Sequence, residues 1–210
     1  CRRGLRARGR GEPVSAGSSG RGTALLLLDC QEGVAGRVLA DAETRAAFVA
    51  AVRAAVGTAR AAGLPCIRVE VEFRPGHPEV SPANAYFGRV KEAGRLVAGS
   101  DQAGPMAELA DLLAPMPRVV KRRIGAFPDT DLAALLRGLS CDGLVLAGLI
   151  TSGAVLSTAC SAADLDLRVI VLSDACHDPT ESVHRALLDH VLPMRGQVMS
   201  TSDFDEQPFG

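Results

Sequence analysis

From Thr23 onward, short apolar runs alternate with amphipathic stretches, the pattern of βα units wound around a parallel sheet. The run Thr23-Ala-Leu-Leu-Leu-Leu-Asp29 reads as a first strand buried on both faces. Residues 42–62 repeat Phe48, Val52, Ala55, Val56 and Ala59 at helical spacing, and Gly63 follows as a C-terminal stop. Cys66-Ile-Arg-Val-Glu-Val-Glu-Phe73 alternates with period two and predicts a second strand. A segment rich in Pro and Gly then leaves the sheet until about Ser100. Further strands are predicted at Arg118–Lys121, Leu144–Gly148, Leu167–Leu172 and Gln197–Ser200. Helices are expected near 103–113, 129–139, 152–164 and 180–192. Six strands with interleaved helices make a Rossmann-like three-layer α/β/α sandwich around a mostly parallel sheet. No internal repeat is visible.

Composition narrows the partners. A chain of 210 residues suits one domain, and 47% hydrophobic with 22% charged residues is ordinary for a folded protein. The formal net charge of −1 gives no general attraction for nucleic acid or an anionic membrane, so a small-molecule partner is the default. The longest apolar runs, Ala24–Leu28 and Leu144–Ile150, fall well short of the roughly 20 residues of a membrane helix. Six cysteines, widely spaced and without a CxxC pair, read as reduced thiols of a cytoplasmic protein. Residues 1–22, with six arginines and six glycines, are expected to form a disordered basic tail. The domain proper is placed at 23–202, with a C-terminal tail at 203–210.

In parallel α/β sheets ligands bind beyond the carboxyl ends of the strands, which directs attention to the polar residues there. Asp29 ends the first strand and Lys121 the third. The turn Gly148-Leu-Ile-Thr-Ser-Gly-Ala-Val155 leads from a strand into a helix whose N-terminus favours negative charge. Taken singly, each has an ordinary structural explanation: a turn carboxylate, a solvated charge run beside Arg122 and Arg123, a helix cap. Their order and spacing are more specific than any one of them.

Three blocks carry a family resemblance that covers nearly everything from Thr23 to Ser202. They are Leu28-Asp29-Cys30-Gln31; Val119-Val120-Lys121 followed by Ala126-Phe127; and Gly148-x-x-Thr151-x-x-Ala154-Val155 with Ser157-Thr158-Ala159 and a strand closed by Asp174-Ala175. In this the chain resembles the isochorismatase-like hydrolases. The resemblance implies Asp29 and Lys121 as catalytic residues, and a substrate or oxyanion pocket built from Gln31, Phe127, Ile150, Thr151, Ser152 and Gly153. It also implies a cis peptide at Ile150–Thr151 and a homo-oligomer, dimer or tetramer. Where cysteine-using members carry the nucleophile this chain has Ala154, and a methyl group cannot attack a carbonyl.

The other cysteines do not fill that gap. Cys160 lies six residues along the same predicted helix, turned away from Ala154, and alternation sends Cys30 to the side opposite Asp29. Relatives that hold a divalent ion use an Asp-x-His pair and a further His. Glu70, Glu72 and His77 do not reproduce that spacing, and no metal or cofactor is expected. His177, His184 and His190, near the last helix, read as structural. The leading expectation is a hydrolase of a small metabolite, cleaving a vinyl ether or C–N bond, in which Asp29 moves a proton, Lys121 supports negative charge and water attacks. Its rival is a catalytically inactive relative kept as a binding or assembly subunit.

Overall fold

The computed structural model describes residues 22–39 and 41–207. The six strands are β1 (Gly22–Leu28), β2 (Cys66–Val71), β3 (Arg118–Lys121), β4 (Cys141–Leu149), β5 (Arg168–His177) and β6 (Gln197–Met199). They form one sheet in the order β3-β2-β1-β4-β5-β6, and every adjacent pair is parallel. All carboxyl ends therefore lie along one edge.

The Leu-rich β1 sits in the middle of the sheet and feeds both faces. Leu25 and Leu27 point into the layer packed by α1 (Glu32–Val38), α2 (Ala42–Ala61) and α3 (Ala85–Glu92). Ala24, Leu26 and Leu28 point into the layer under α5 (Leu132–Gly138) and α6 (Leu156–Asp164). A strand with period-two side chains can be apolar at every position only when both faces are covered, and burial of each leucine is worth roughly 1.5–3 kcal/mol. The long α2 begins at Asp41, whose carboxylate accepts from the Thr44 N–H at 2.8 Å, and Gly63 beyond its end takes φ +70°. Its buried stripe is Phe48, Val52, Ala55, Val56 and Ala59, the residues the spacing predicts.

Several elements differ from the sequence reading. The segment 103–113 is not one helix: two single-turn 3-10 segments, Asp101–Ala103 and Ala107–Leu109, flank Pro105 and precede the short α4 (Ala110–Leu113). Proline lacks the N–H that a continuous helix there would need. The excursion after β2 contains a helix of its own, α3, capped by the Asn84 side chain accepting from Phe87 N–H. The helix expected at 152–164 starts with a widened turn, Thr151–Val155, of π geometry. That expected over 180–192 is α7 (Glu181–Ala186), continued by a second π turn. β5 runs on to His177 through a bulge opposite β4.

The chain ends differ as well. Gly22, expected in the basic tail, begins β1, and the chain past Ser202 is not an immediate tail. Helix α8 (Thr201–Asp205), held by a capping box between Ser200 and Asp203, buries Phe204. Residues 1–21 of the expected N-terminal tail and 208–210 of the C-terminal one lie outside the described residues. The five described cysteines, Cys30, Cys66, Cys141, Cys160 and Cys176, are free thiols.

The close approach of β1 and β4 is set by Gly148, which has φ +139° and lies against Leu28 so tightly that a methyl group would collide with the Leu28 carbonyl oxygen. Gly148→Ala is therefore expected to cost about 3 kcal/mol or more in urea unfolding. Gly57→Ala, on the exposed face of α2 with open space around it, should stabilise by about 0.5–1 kcal/mol. Equal effects of the two substitutions would contradict this account of the strand ends.

Candidate active site

The carboxyl ends of β1, β3 and β4 build the site. Asp29 follows β1 directly, with its N–H donating to Val69 O at 2.9 Å and its backbone in the left-handed region at φ +56°. Lys121 ends β3, two strands away. Strands lie about 4.8 Å apart, so only a long side chain can cross the end of β2 to reach Asp29. It does: Lys121 Nζ lies 2.9 Å from Asp29 Oδ2, and the two side chains are only 2% and 5% exposed. The same ammonium donates to the Ile124 carbonyl at 3.0 Å and the Arg123 carbonyl at 3.3 Å. Three acceptors match its three N–H donors.

The other oxygen of Asp29 is different. Oδ1 is buried and has no hydrogen-bond partner. An unpaired buried polar atom is costly and rare, and calls for an explanation in function or in a ligand. Burial pushes the Asp29 carboxyl above the usual carboxylate range. The Lys121 charge and hydrogen bond oppose that rise without cancelling it, and Glu70 adds to it. A carboxyl with a raised pKa and one free oxygen is suited to taking and returning a proton.

Asp29 and Lys121 line a cleft together with Ile150 and Ala154, so the structure brings these four sequence-singled residues into one place. Its remaining walls come from α1 (Gly33, Val34, Arg37), from Val71 of β2, from α3 (Tyr86, Phe87, Val90) and from Arg95, Leu96 and Ile124. The turn after β4 is strained. The β-branched Ile150 takes φ +63° and ψ +72°, a conformation such residues rarely adopt. The expected cis bond at Ile150–Thr151 is not formed, since every peptide among the described residues is trans. The chain reverses through the left-handed Ile150 instead.

Two carboxyl-edge groups hold that turn from behind. The Ser152 N–H donates to Asp178 Oδ2 at 2.7 Å, and Thr151 Oγ1 shares a hydrogen bond of 2.9 Å with His184 Nδ1. Burial lowers the His184 pKa, and the neighbouring His177 charge lowers it further.

The other expected pocket residues do not line the cleft. The Gln31 amide is fully engaged: it donates to Val71 O at 3.0 Å and Ala103 O at 2.7 Å and accepts from Val71 N–H at 2.8 Å. It is a strut that ties β1 to β2, with no donor left for an oxyanion. Thr151 faces His184, Ser152 is exposed, Gly153 packs beside Ile150, and Phe127 packs against the α5/α6 layer. Cys30 is buried in the α1/α2 layer, where burial and the Asp29 charge raise its pKa. Burial likewise pushes the Cys176 thiol up to about 12. His77 is buried; its Nε2–H donates to Arg95 O at 2.7 Å and its ring stacks on Phe73. Among the described residues no group of three or more His, Cys, Asp or Glu is placed to hold a metal ion.

Sequence reasoning missed Arg37, Tyr86, Arg95 and Asp178, and read His184 as structural without its tie to the turn. Arg37 and Tyr86 lie on helices that the hydrophobic pattern did not reveal. Asp178 and His184 act across the chain fold, through contacts that no local motif reports.

The parallel sheet, the buried Asp/Lys pair and the strained turn together make a candidate active site at the carboxyl edge of an α/β fold. The chain belongs to the isochorismatase family: the Isochorismatase domain matches residues 23–203. The uncharacterized isochorismatase family protein YecD of Escherichia coli O157:H7 is 34% identical over 85 residues, 40% of this chain and 45% of that protein. The chain thus matches about half the length of that relative. The ureidoacrylate amidohydrolase RutB of Stutzerimonas stutzeri (strain A1501) is 33% identical over 93% of this chain and 85% of its own. An isochorismatase family protein from Desulfovibrio vulgaris superposes with a TM-score of 0.75 at 24% identity, covering 89% of this chain and 97% of its own, which shows the shared fold.

If Lys121 is what makes a buried Asp29 tolerable, Lys121→Met leaves an uncompensated carboxyl and should cost about 3–5 kcal/mol near neutral pH. Loss of the ammonium raises the folded-state pKa of Asp29 further, so the folded variant binds a proton that the unfolded chain has released. Stability then falls as pH rises between the two values. Urea unfolding should therefore show a smaller penalty at about pH 5 than at about pH 8. A penalty independent of pH would contradict the pairing.

Proposed function

We propose that this chain is a hydrolase of a small metabolite that uses Asp29, held by Lys121, to activate water without a covalent cysteine intermediate. The observation that carries the reading is the buried, unpartnered Asp29 Oδ1 in a cleft that also holds Ala154. Family membership and similarity to an amidohydrolase support hydrolysis as the reaction and an amide-type C–N bond as the one cleaved.

In this reading Asp29 carboxylate takes one proton from water as the water oxygen bonds to the substrate carbonyl carbon. The tetrahedral oxyanion then collapses, the C–N bond breaks, and the proton on Asp29 passes to the leaving nitrogen. Lys121 keeps Asp29 oriented and offsets its charge, since its donors are engaged by protein acceptors. Ala154 stands where the family resemblance assigns a nucleophile, and its methyl leaves room for a water. That same methyl is the observation favouring the rival reading of an inactive binding subunit.

A metabolite-library hydrolysis screen tests the reading. The Asp29→Asn variant should lose about 10²–10⁴-fold in rate, the usual worth of a general base. In the parent, kcat/KM should fall as pH drops through the Asp29 pKa, with the acid limb above the ordinary carboxylate range because burial raises that group. Activity surviving in Asp29→Asn removes Asp29 from the mechanism. Ligand binding with no turnover of any compound favours the binding subunit.

Ala154→Cys probes the same site from the other side. Lining the same cleft as Asp29, in the turn that leads into α6, the new thiol should be more reactive than an ordinary exposed one, because a nearby base and a helix N-terminus both favour the thiolate. Iodoacetamide alkylation near neutral pH should exceed that of a free-cysteine peptide. An ordinary rate would show that these surroundings do not activate a nucleophile.

A further inference from the structure

The strained turn after β4 is held from behind by a group that titrates. Ile150 takes φ +63°, and Ile150 and Ala154, at either end of the stretch Thr151-Ser152-Gly153, line the cleft. Two ties fix the residues between them. The Ser152 N–H donates to Asp178 Oδ2 at 2.7 Å, and Asp178 Oδ1 accepts from the Thr180 N–H at 3.3 Å, so each oxygen of that carboxylate has a backbone donor. The Thr151 hydroxyl has one hydrogen bond among the described residues, at 2.9 Å to Nδ1 of His184 on α7. Both side chains are buried.

A buried hydroxyl must place its proton on an acceptor. His184 Nδ1 is that acceptor only while it is bare, with the ring proton on Nε2. A second proton makes both ring nitrogens donors. Thr151 Oγ1 can then only accept, and its own proton is left buried without a partner. Relief comes from moving the hydroxyl away, which takes Thr151 and the Ile150 backbone with it, and strain of that kind persists only where the surroundings over-determine it. The charges around the ring weigh on the same equilibrium. His177, at the end of β5, has its ring centroid 5.6 Å from that of His184. Burial first, then the His177 charge, lower the His184 pKa. Arg185 on α7 acts in the same direction, while Glu181 on α7 and Asp178 oppose it. Glu181 is itself held by Arg185 at 2.6 Å. Asp41, ahead of α2, feels the His177 charge, and Tyr86 on α3 feels that of Asp178.

We propose that His184 is a positioning residue whose proton state sets this wall of the cleft: neutral, it accepts from Thr151 and holds the Ile150–Val155 turn; protonated, it releases that turn. His184 does not line the cleft and acts through Thr151. The tie is intact above the His184 pKa and lost as pH falls through it. Because burial and His177 hold that pKa down, the loss lies on the acid side of the ordinary histidine range. The wall is therefore firm near neutral pH and slack in acid. This goes beyond the hydrolytic reading above and does not depend on it, since it concerns the shape of the cleft and not what is cleaved there.

The test is an NMR titration of the full chain that follows the His184 ring together with the Ser152 and Gly153 amides. The amides should shift with the midpoint of the His184 ring. Their hydrogen exchange, corrected for the intrinsic effect of pH, should be at least about fivefold faster below that midpoint, the effect of one lost buried hydrogen bond. His184→Asn keeps an acceptor near the place of Nδ1 and does not titrate, so it should keep the slow exchange and lose the transition. His184→Leu has no acceptor there and should exchange fast at every pH. A histidine that only fills space would not give that split. Should His184→Leu fail to fold, the parent and His184→Asn decide the matter. His177→Asn should keep the transition and move its midpoint up, and Asp29→Asn should keep it in place, which separates this proposal from the chemistry assigned to Asp29. Turn amides that ignore the His184 midpoint overturn the proposal. So does a transition that survives in His184→Asn, or one that vanishes in His177→Asn or Asp29→Asn.

Discussion

A carboxylate and an ammonium held together out of water at the carboxyl ends of β1 and β3 impose the constraint around which the site is organised. Taking either charge alone into that position would cost several kcal/mol, so neither residue is tolerable without the other. Their pairing across the end of β2 fixes the path of the chain after β3, because the same ammonium gathers the Arg123 and Ile124 carbonyls. It also leaves Asp29 with one engaged oxygen and one free oxygen. The parallel sheet supplies the geometry: only strands running the same way bring both residues to one edge.

The opposite wall depends on close backbone approach and strain. Gly148 lets β4 lie against β1, and Ile150 then turns in a left-handed conformation that a β-branched residue resists. Such strain persists only where the surroundings over-determine it. Asp178, just past β5, and His184 on α7 supply that support through the Ser152 amide and the Thr151 hydroxyl. Ala154 is thereby held against the cleft. Rigidity here is a property of residues that never line the cleft.

Much of this was legible in the sequence, and the parts that were not have identifiable causes. β1 and β4 were visible because both-face burial leaves continuous apolar runs, β2 because its residues alternate with period two, and α2 because its buried stripe holds for about three turns. The alternation of strand and helix also implied that Asp29, Lys121 and the turn after β4 meet at one edge. α1 was missed because Glu32-Gly-Val-Ala-Gly-Arg-Val38 has two glycines and fewer than two full turns of pattern. α3 was missed inside a Pro/Gly-rich segment, with one fully buried residue, Phe87. Those two helices carry Arg37 and Tyr86, so part of the cleft lining was hidden with them. Gln31 misled for a different reason: the family resemblance implied a place in the substrate pocket, whereas its amide satisfies backbone groups of β2 and the Ala103 turn.

The proposed chemistry turns on the state of a single carboxyl group. Isotope-edited infrared or carbon-detected NMR titration of Asp29, assigned by difference from Asp29→Asn, measures it directly. Burial outweighing the Lys121 charge predicts a midpoint clearly above the ordinary carboxylate range, moving higher still in Lys121→Met. A midpoint at or below the ordinary range would show that the carboxyl is merely a charge partner for Lys121, and would remove the proton-transfer role on which the proposed chemistry depends.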